Sequence, residues 1–167
     1  MNASKKSKVI IIGQAPGSKV HASGIPWNDK SGENLRSWLG INDSQFYDPT
    51  IFCILPMGFC YPGKGKSGDL PPRPECAPMW HQKVLDQIEK PGLMLLIGQY
   101  AQKYYLGEKS KPTLTQTVQS FKDYLDSGFL PLPHPSPRNN IWMKKNPWFE
   151  GELLPVLKKE IERAIGR

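Results

Sequence analysis

The sequence predicts an α/β protein, a three-layer α/β/α sandwich around a four-stranded parallel sheet, and two observations carry that reading. Four short apolar runs, Lys8 to Ile12, Ile51 to Met57, Leu93 to Ile97 and Phe129 to Pro133, recur about every forty residues, each short enough for a strand buried on both faces. Stretches of helical character lie between them and after the last, and strands alternating with helices are the pattern of a parallel sheet covered on both sides.

Each element has its own signal. The first three runs are rich in β-branched or long aliphatic side chains, which suit a pleated interior. Helices are predicted over Gly32 to Leu39, Pro74 to Glu89, Gln99 to Leu106, Thr113 to Leu125, and from Asn146 or Pro147 to Ile165. Arg73-Pro74-Glu75 sets a proline and an acid at a first turn, a common helix start. Leu153, Leu154, Leu157, Ile161 and Ile165 recur at spacings of three and four, so the last helix is amphipathic. Its other face, Lys158, Lys159, Glu160, Glu162 and Arg163, mixes both signs and reads as solvated.

A chain of 167 residues with no linker-like stretch is expected to form one domain, 1–167. Twenty-two Lys and Arg against fifteen Asp and Glu give a formal charge of +7, which favours a polyanionic partner. The three cysteines, Cys53, Cys60 and Cys76, form neither a C-x-x-C pair nor a dense framework, and this suits a reducing compartment. Met1 to Lys8 is polar and basic, with no apolar run behind it longer than Val9 to Ile12, so neither a signal peptide nor a membrane span is expected. The expectation is a soluble, cytoplasmic monomer with no membrane association and no obligate protein partner.

In an open parallel sheet, ligands bind beyond the carboxyl ends of the strands, and two of those ends are distinctive. The first run leads into Gly13-Gln14-Ala15-Pro16-Gly17, a turn whose glycines let backbone N–H groups approach a ligand. The fourth leads into His134-Pro135-Ser136-Pro137-Arg138, an imidazole between residues that restrict the chain. Between Gly24 and Gly32, Trp27 offers a ring that either stacks on a base or anchors its loop by packing beneath it. The glycine- and lysine-rich segment Gly58 to Asp69 belongs to the same sheet edge. Its Lys64 and Lys66 suit a phosphate backbone, and Phe59 or Tyr61 either lines a pocket or packs under the loop. It is not a phosphate-binding P-loop, because Gly65 stands where the magnesium-binding Ser or Thr is required.

These motifs, in this order and spacing, resemble the uracil-DNA glycosylase superfamily over nearly the whole chain, most closely its iron–sulfur branch, family 4. That branch reads Gly-Glu-Ala-Pro-Gly, six residues, Gly-Arg-Pro-Phe and a following Gly. This chain reads Gly13-Gln14-Ala15-Pro16-Gly17, six residues, Gly24-Ile25-Pro26-Trp27 and Gly32. The closing His-Pro and small residue are matched by His134-Pro135-Ser136. The resemblance implies hydrolysis of the N-glycosidic bond of uracil, or another deaminated base, in DNA, without a metal or a covalent lysine intermediate. It implies that Gly13 to Gly17 bind the base edge through backbone around Gln14, that Trp27 takes the place of the stacking Phe, and that His134, in one motif with Ser136, hydrogen-bonds uracil O2. Lys64, Lys66, Arg138 and Lys144 would contact DNA.

The chain also departs from the family. Only Cys60 and Cys76, with the family's fifteen intervening residues, remain of the four cluster cysteines, so no iron–sulfur cluster and no other cofactor is expected. A zinc site of Cys60, Cys76 and His81 lacks a fourth ligand, and ordinary thiols are the better reading. The Asn that reads the uracil edge aligns with Pro56, and the acid that positions water aligns with Val20, leaving His21 and Asp29 as candidates for activating water. Three functions stay open: excision of uracil, excision of hypoxanthine, xanthine or a mismatched base, or a DNA-binding relative without catalysis.

Overall fold

The computed structural model describes residues 1–166. In chain order the elements are β1 (Val9–Ile12), α1 (Ser18–Ser23), α2 (Lys30–Leu39), α3 (Asp43–Phe46), β2 (Phe52–Ile54), a small hairpin of β3 (Lys64–Gly65) and β4 (Gly68–Asp69), α4 (Cys76–Leu85) and β5 (Leu93–Ile97). There follow α5 (Gln99–Leu106), α6 (Leu114–Gln119), α7 (Lys122–Leu125), β6 (Phe129–Leu132), α8 (Asn140–Lys145) and α9 (Leu154–Ile165).

The main sheet has the order β2-β1-β5-β6 and is parallel throughout. Because successive strand side chains point to opposite faces, β1 feeds two cores. Val9 and Ile11 pack with Leu35 and Trp38 of α2, Phe46 of α3, and Leu157 and Ile161 of α9. Ile10 and Ile12 pack with Ala77 of α4, Ala101 and Leu106 of α5, and Tyr124 of α7. One core on each face makes the expected α/β/α sandwich. The chain leaves β1 for β2 on one side and returns to β5 on the other, and this reversal opens a crevice beyond the carboxyl end of β1.

Several boundaries differ from those predicted, each for a local reason. The second run is a strand only over Phe52–Ile54, but Leu55 and Met57 still donate their N–H groups to the carbonyls of Ile11 and Gly13, so the apolar run outlasts the regular ladder. The helix predicted from Gly32 begins at Lys30, because Asp29 caps it by accepting from the Gly32 N–H at 2.9 Å. The stretch Pro74 to Glu89 is helical only over Cys76–Leu85. Thr113 to Leu125 is broken into α6 and α7 at Ser120 and Phe121. Ahead of α9 the turn Phe149–Leu153 is a π-helix; Pro155 has no N–H to return to the preceding turn, which widens. Among the described residues no helix is long and apolar enough to cross a membrane.

Candidate active site

A cleft of about 800 Å³ opens beyond the carboxyl ends of β1, β2 and β6, within the size range of small-ligand sites. Its floor is the turn after β1. The N–H groups of Gln14 and Ala15 find no acceptor among the described residues, whereas the carbonyls of Gly13 and Gln14 are taken by the N–H groups of Met57 and Gly58. These two N–H groups thus belong to residues that line the cleft and have no backbone partner.

Helix α2 positions both walls. Asn34 donates through Nδ2 to the Pro135 carbonyl at 2.9 Å, which ties the loop after β6 to the helix. Asn139 donates to the His134 carbonyl at 2.6 Å. Opposite, Gly32 lies so close to the Trp27 carbonyl that a Cβ there would sit 1.7 Å from the oxygen. The Trp27 ring and the His134 imidazole stand 5.8 Å apart, tilted by 34°. Beneath the indole is Gly13, whose missing Cβ would meet the ring at 3.0 Å.

Trp27 is the one described residue other than glycine with positive φ, at 59°. A bulky side chain in that region is strained, so its retention needs a reason beyond turning the chain. Trp27→Gly and Trp27→Ala both delete the ring, but only glycine is at ease at this φ. The glycine variant is expected to be the more stable by about 1–2 kcal/mol, as read by chemical denaturation, with base handling lost in both.

The imidazole has a defined tautomer. The Ser136 N–H donates to Nδ1 of His134 at 3.2 Å, so Nδ1 is unprotonated, and in the neutral ring Nε2 carries the hydrogen. No protein group accepts from that Nε2–H among the described residues. Burial lowers the His134 pKa from the usual histidine range, and the carboxylates of Asp29 and Asp69 partly oppose the shift. The neutral form therefore extends below pH 6.5. Protonation would place a hydrogen on Nδ1 facing the Ser136 N–H and break the contact that holds the ring, so any step that needs the imidazole in this position should be flat from pH 8 through 6.5 and fall only at lower pH, which a pH series of single-turnover rates would show. Stability should fall in the same window, because the unfolded chain takes up a proton that the folded one resists.

The other expected site residues divide in two. Gly13 to Gly17, Trp27, Asp29, Phe59, Lys64, His134, Ser136 and Arg138 all line the cleft. His21 lines it too, as an exposed residue of α1 whose ring lies 6.3 Å from that of Tyr61. One Asp29 oxygen is engaged as the cap of α2. Lys66, on the hairpin turn, and Lys144, in α8, are exposed and stand outside the lining. One group escaped the sequence reading. Asp69 accepts from the Tyr61 hydroxyl at 3.3 Å, and only the β3–β4 hairpin brings it into the cleft. His81 is buried, with Nε2 against the Pro56 carbonyl at 2.8 Å and Nδ1 against the Tyr105 hydroxyl at 2.6 Å. A carbonyl can only accept, so Nε2–H donates to Pro56 and Nδ1 accepts from Tyr105, whose hydroxyl pKa is raised by burial. Neither ring nitrogen is free for a metal. Cys60 is exposed, Cys76 half-buried and both are free thiols, and among the described residues no three His, Cys, Asp or Glu side chains gather closely enough to hold a metal ion. These residues do not fit a four-cysteine cluster.

The fold is a parallel α/β sandwich with an indole and a neutral imidazole around one cleft at its topological switch point. The model of the uracil DNA glycosylase superfamily matches residues 2–158, and the chain belongs to that superfamily, a family of DNA repair glycosylases that act as hydrolases on DNA.

Proposed function

We propose that the protein removes a deaminated base, uracil foremost, from DNA by hydrolysing the bond between base and sugar. One observation carries this reading: the unpaired Nε2–H of a neutral His134 in the cleft wall facing Trp27. As the C1′–N bond breaks, its electron pair stays on the base, and a donor at a base carbonyl stabilises the departing anion as an oxyanion hole would. The N–H groups of Gln14 and Ala15 add donors on the floor. Deamination turns an amino group into a carbonyl, so a donor-lined floor favours the damaged base over the normal one. Trp27 stacks on the extruded ring.

The sugar is left positively charged. Asp29, through its oxygen not used in capping, and Asp69 supply negative charge to it and orient a water, with His21 at the rim. The water oxygen bonds to C1′ and its proton passes to a carboxylate, while the base anion is protonated from solvent. Lys64 and Arg138 at the mouth receive flanking phosphates.

A second reading, excision of purine lesions such as hypoxanthine or xanthine, is favoured by Pro56. This residue offers the cleft only an apolar ring, since His81 occupies its carbonyl, and so a narrow pyrimidine-specific hydrogen bond is missing there. The test is base release by the full chain from oligonucleotides carrying uracil, hypoxanthine or xanthine, single-stranded and paired, read as alkali-labile sites. Cleavage at uracil supports the first reading and cleavage at the purines the second. Salt-sensitive DNA binding with no cleavage of any substrate would make the protein a binding module.

A further inference from the structure

Arg36 is the most deeply placed cation of the described chain, 9% exposed on the core-facing side of α2. Burying a guanidinium is costly unless it is paired and hydrogen-bonded, and a methionine would fill the same space between helices. Its partners show where it is used. Nε meets the Asp43 carboxylate at 2.7 Å, and the guanidinium lies 5.2 Å and 5.7 Å from the ring centres of Phe46 and Tyr47. Asp43 is largely exposed, so that ion pair adds little by itself. A second guanidinium nitrogen, Nη1, donates to the Trp27 carbonyl at 3.1 Å and lies 3.5 Å from the Tyr47 hydroxyl. Tyr47 in turn donates to the Pro26 carbonyl at 2.8 Å.

Two consecutive carbonyls are thus gripped from behind the cleft, and the second belongs to the residue with left-handed backbone. Strain of that kind persists only where the surroundings over-determine it. Gly32 leaves the space for the carbonyl, while Arg36 and Tyr47 supply the pull. We infer that Arg36, together with Tyr47, is a positioning residue: a buried clamp on the Pro26 and Trp27 carbonyls that holds the indole as the wall opposite His134. What the clamp does for excision rests on the reading of the cleft as a base pocket; that it fixes the indole does not.

The test uses the full chain labelled with 5-fluorotryptophan, whose five indoles are followed by fluorine NMR without DNA, the Trp27 signal being the one lost in Trp27→Phe. In Arg36→Met and Tyr47→Phe the Trp27 signal is expected to shift or split while the other four hold. Single-turnover excision should fall about tenfold in Arg36→Met, the scale of losing one base–aromatic stack, with part of the loss recovered in Arg36→Lys. In a Trp27→Ala background the same Arg36→Met change should cost less than about twofold more, since residues acting through one another are not additive. An unmoved Trp27 signal in a folded Arg36→Met protein overturns the clamp, as does an unmoved signal in Tyr47→Phe should the arginine variant fail to fold. An excision loss of equal size with and without Trp27 overturns it too. Failure of the wild-type protein to release any base would refute the glycosylase reading instead, and the NMR comparison would still decide the clamp.

Discussion

Replacing His134 with alanine is expected to lower single-turnover base excision about 10²–10³-fold, the usual cost of removing one donor to a developing anion, while DNA affinity and its salt dependence change little. The two readouts should separate because His134 takes no part in the basic rim of Lys64 and Arg138; its Nδ1 is spent on the Ser136 N–H and only Nε2–H is free for a ligand. The loss should appear in the chemical step at saturating enzyme, since the hydrogen bond strengthens as charge builds on the base. His134→Gln, which can offer an amide donor without the ring, should fall between the two. A loss below about tenfold in the alanine variant would place the main stabilisation of the leaving base elsewhere, most simply on the backbone donors of the 13–17 turn.

Much of the fold could be read from the sequence because a strand buried on both faces has no polar side to disguise it. The VIII run of β1 and the LMLLI run of β5 are nearly or wholly buried, so composition alone marks them. Lengths were less legible. The apolar run at Ile51 to Met57 continues past β2 because Leu55 and Met57 remain interior residues beside the next loop, and burial is what hydrophobicity reports. Helices α1, α3 and α8, of six, four and six residues, are too short for a helical period to declare itself. Thr113 to Leu125 keeps its apolar spacing across the break at Ser120 and Phe121, so Val118 of α6, Phe121 in the break and Tyr124 of α7 are all buried.

The site divides along the same physical line. Gln14, Trp27 and His134 sit just after strand ends or in the turns that follow, and topology carries such residues to one edge. Arg36, Tyr47, Asn34 and Asp69 act across distances that the order of the chain does not show. An arginine inside an amphipathic helix looks like a surface charge until its neighbours are known, and Asp69 enters the cleft only because two glycines, Gly65 and Gly68, close a hairpin beside it. Asp29 had a helix cap's position as well as a catalytic candidate's, and the structure gives one of its oxygens to the cap.

Gly32→Ala is the substitution that should damage fold and site together. A Cβ at this position would stand 1.7 Å from the Trp27 carbonyl oxygen, 2.6 Å from its carbon and 2.9 Å from the Trp27 Cβ, and no rotamer change relieves a clash with backbone. Neither partner is free to retreat. The first turn of α2 is tied down by Asp29 at the Gly32 N–H, and the Trp27 carbonyl is held by Arg36. Forcing them apart should cost about 1–3 kcal/mol or more, each kcal/mol being worth about 2–4 °C of Tm for a chain of this size. Excision should drop at least about tenfold through the displaced indole, so thermal melting and single-turnover rates should fall together. Gly151→Ala is the control: nothing lies within 4 Å of its would-be Cβ and its φ is not left-handed, and alanine is the better helix former, so stability there should hold or rise with excision unchanged. If Gly32→Ala melted like the wild type, the close approach of α2 to Trp27 would be wrong, and with it the account of why a tryptophan keeps a left-handed backbone in this cleft.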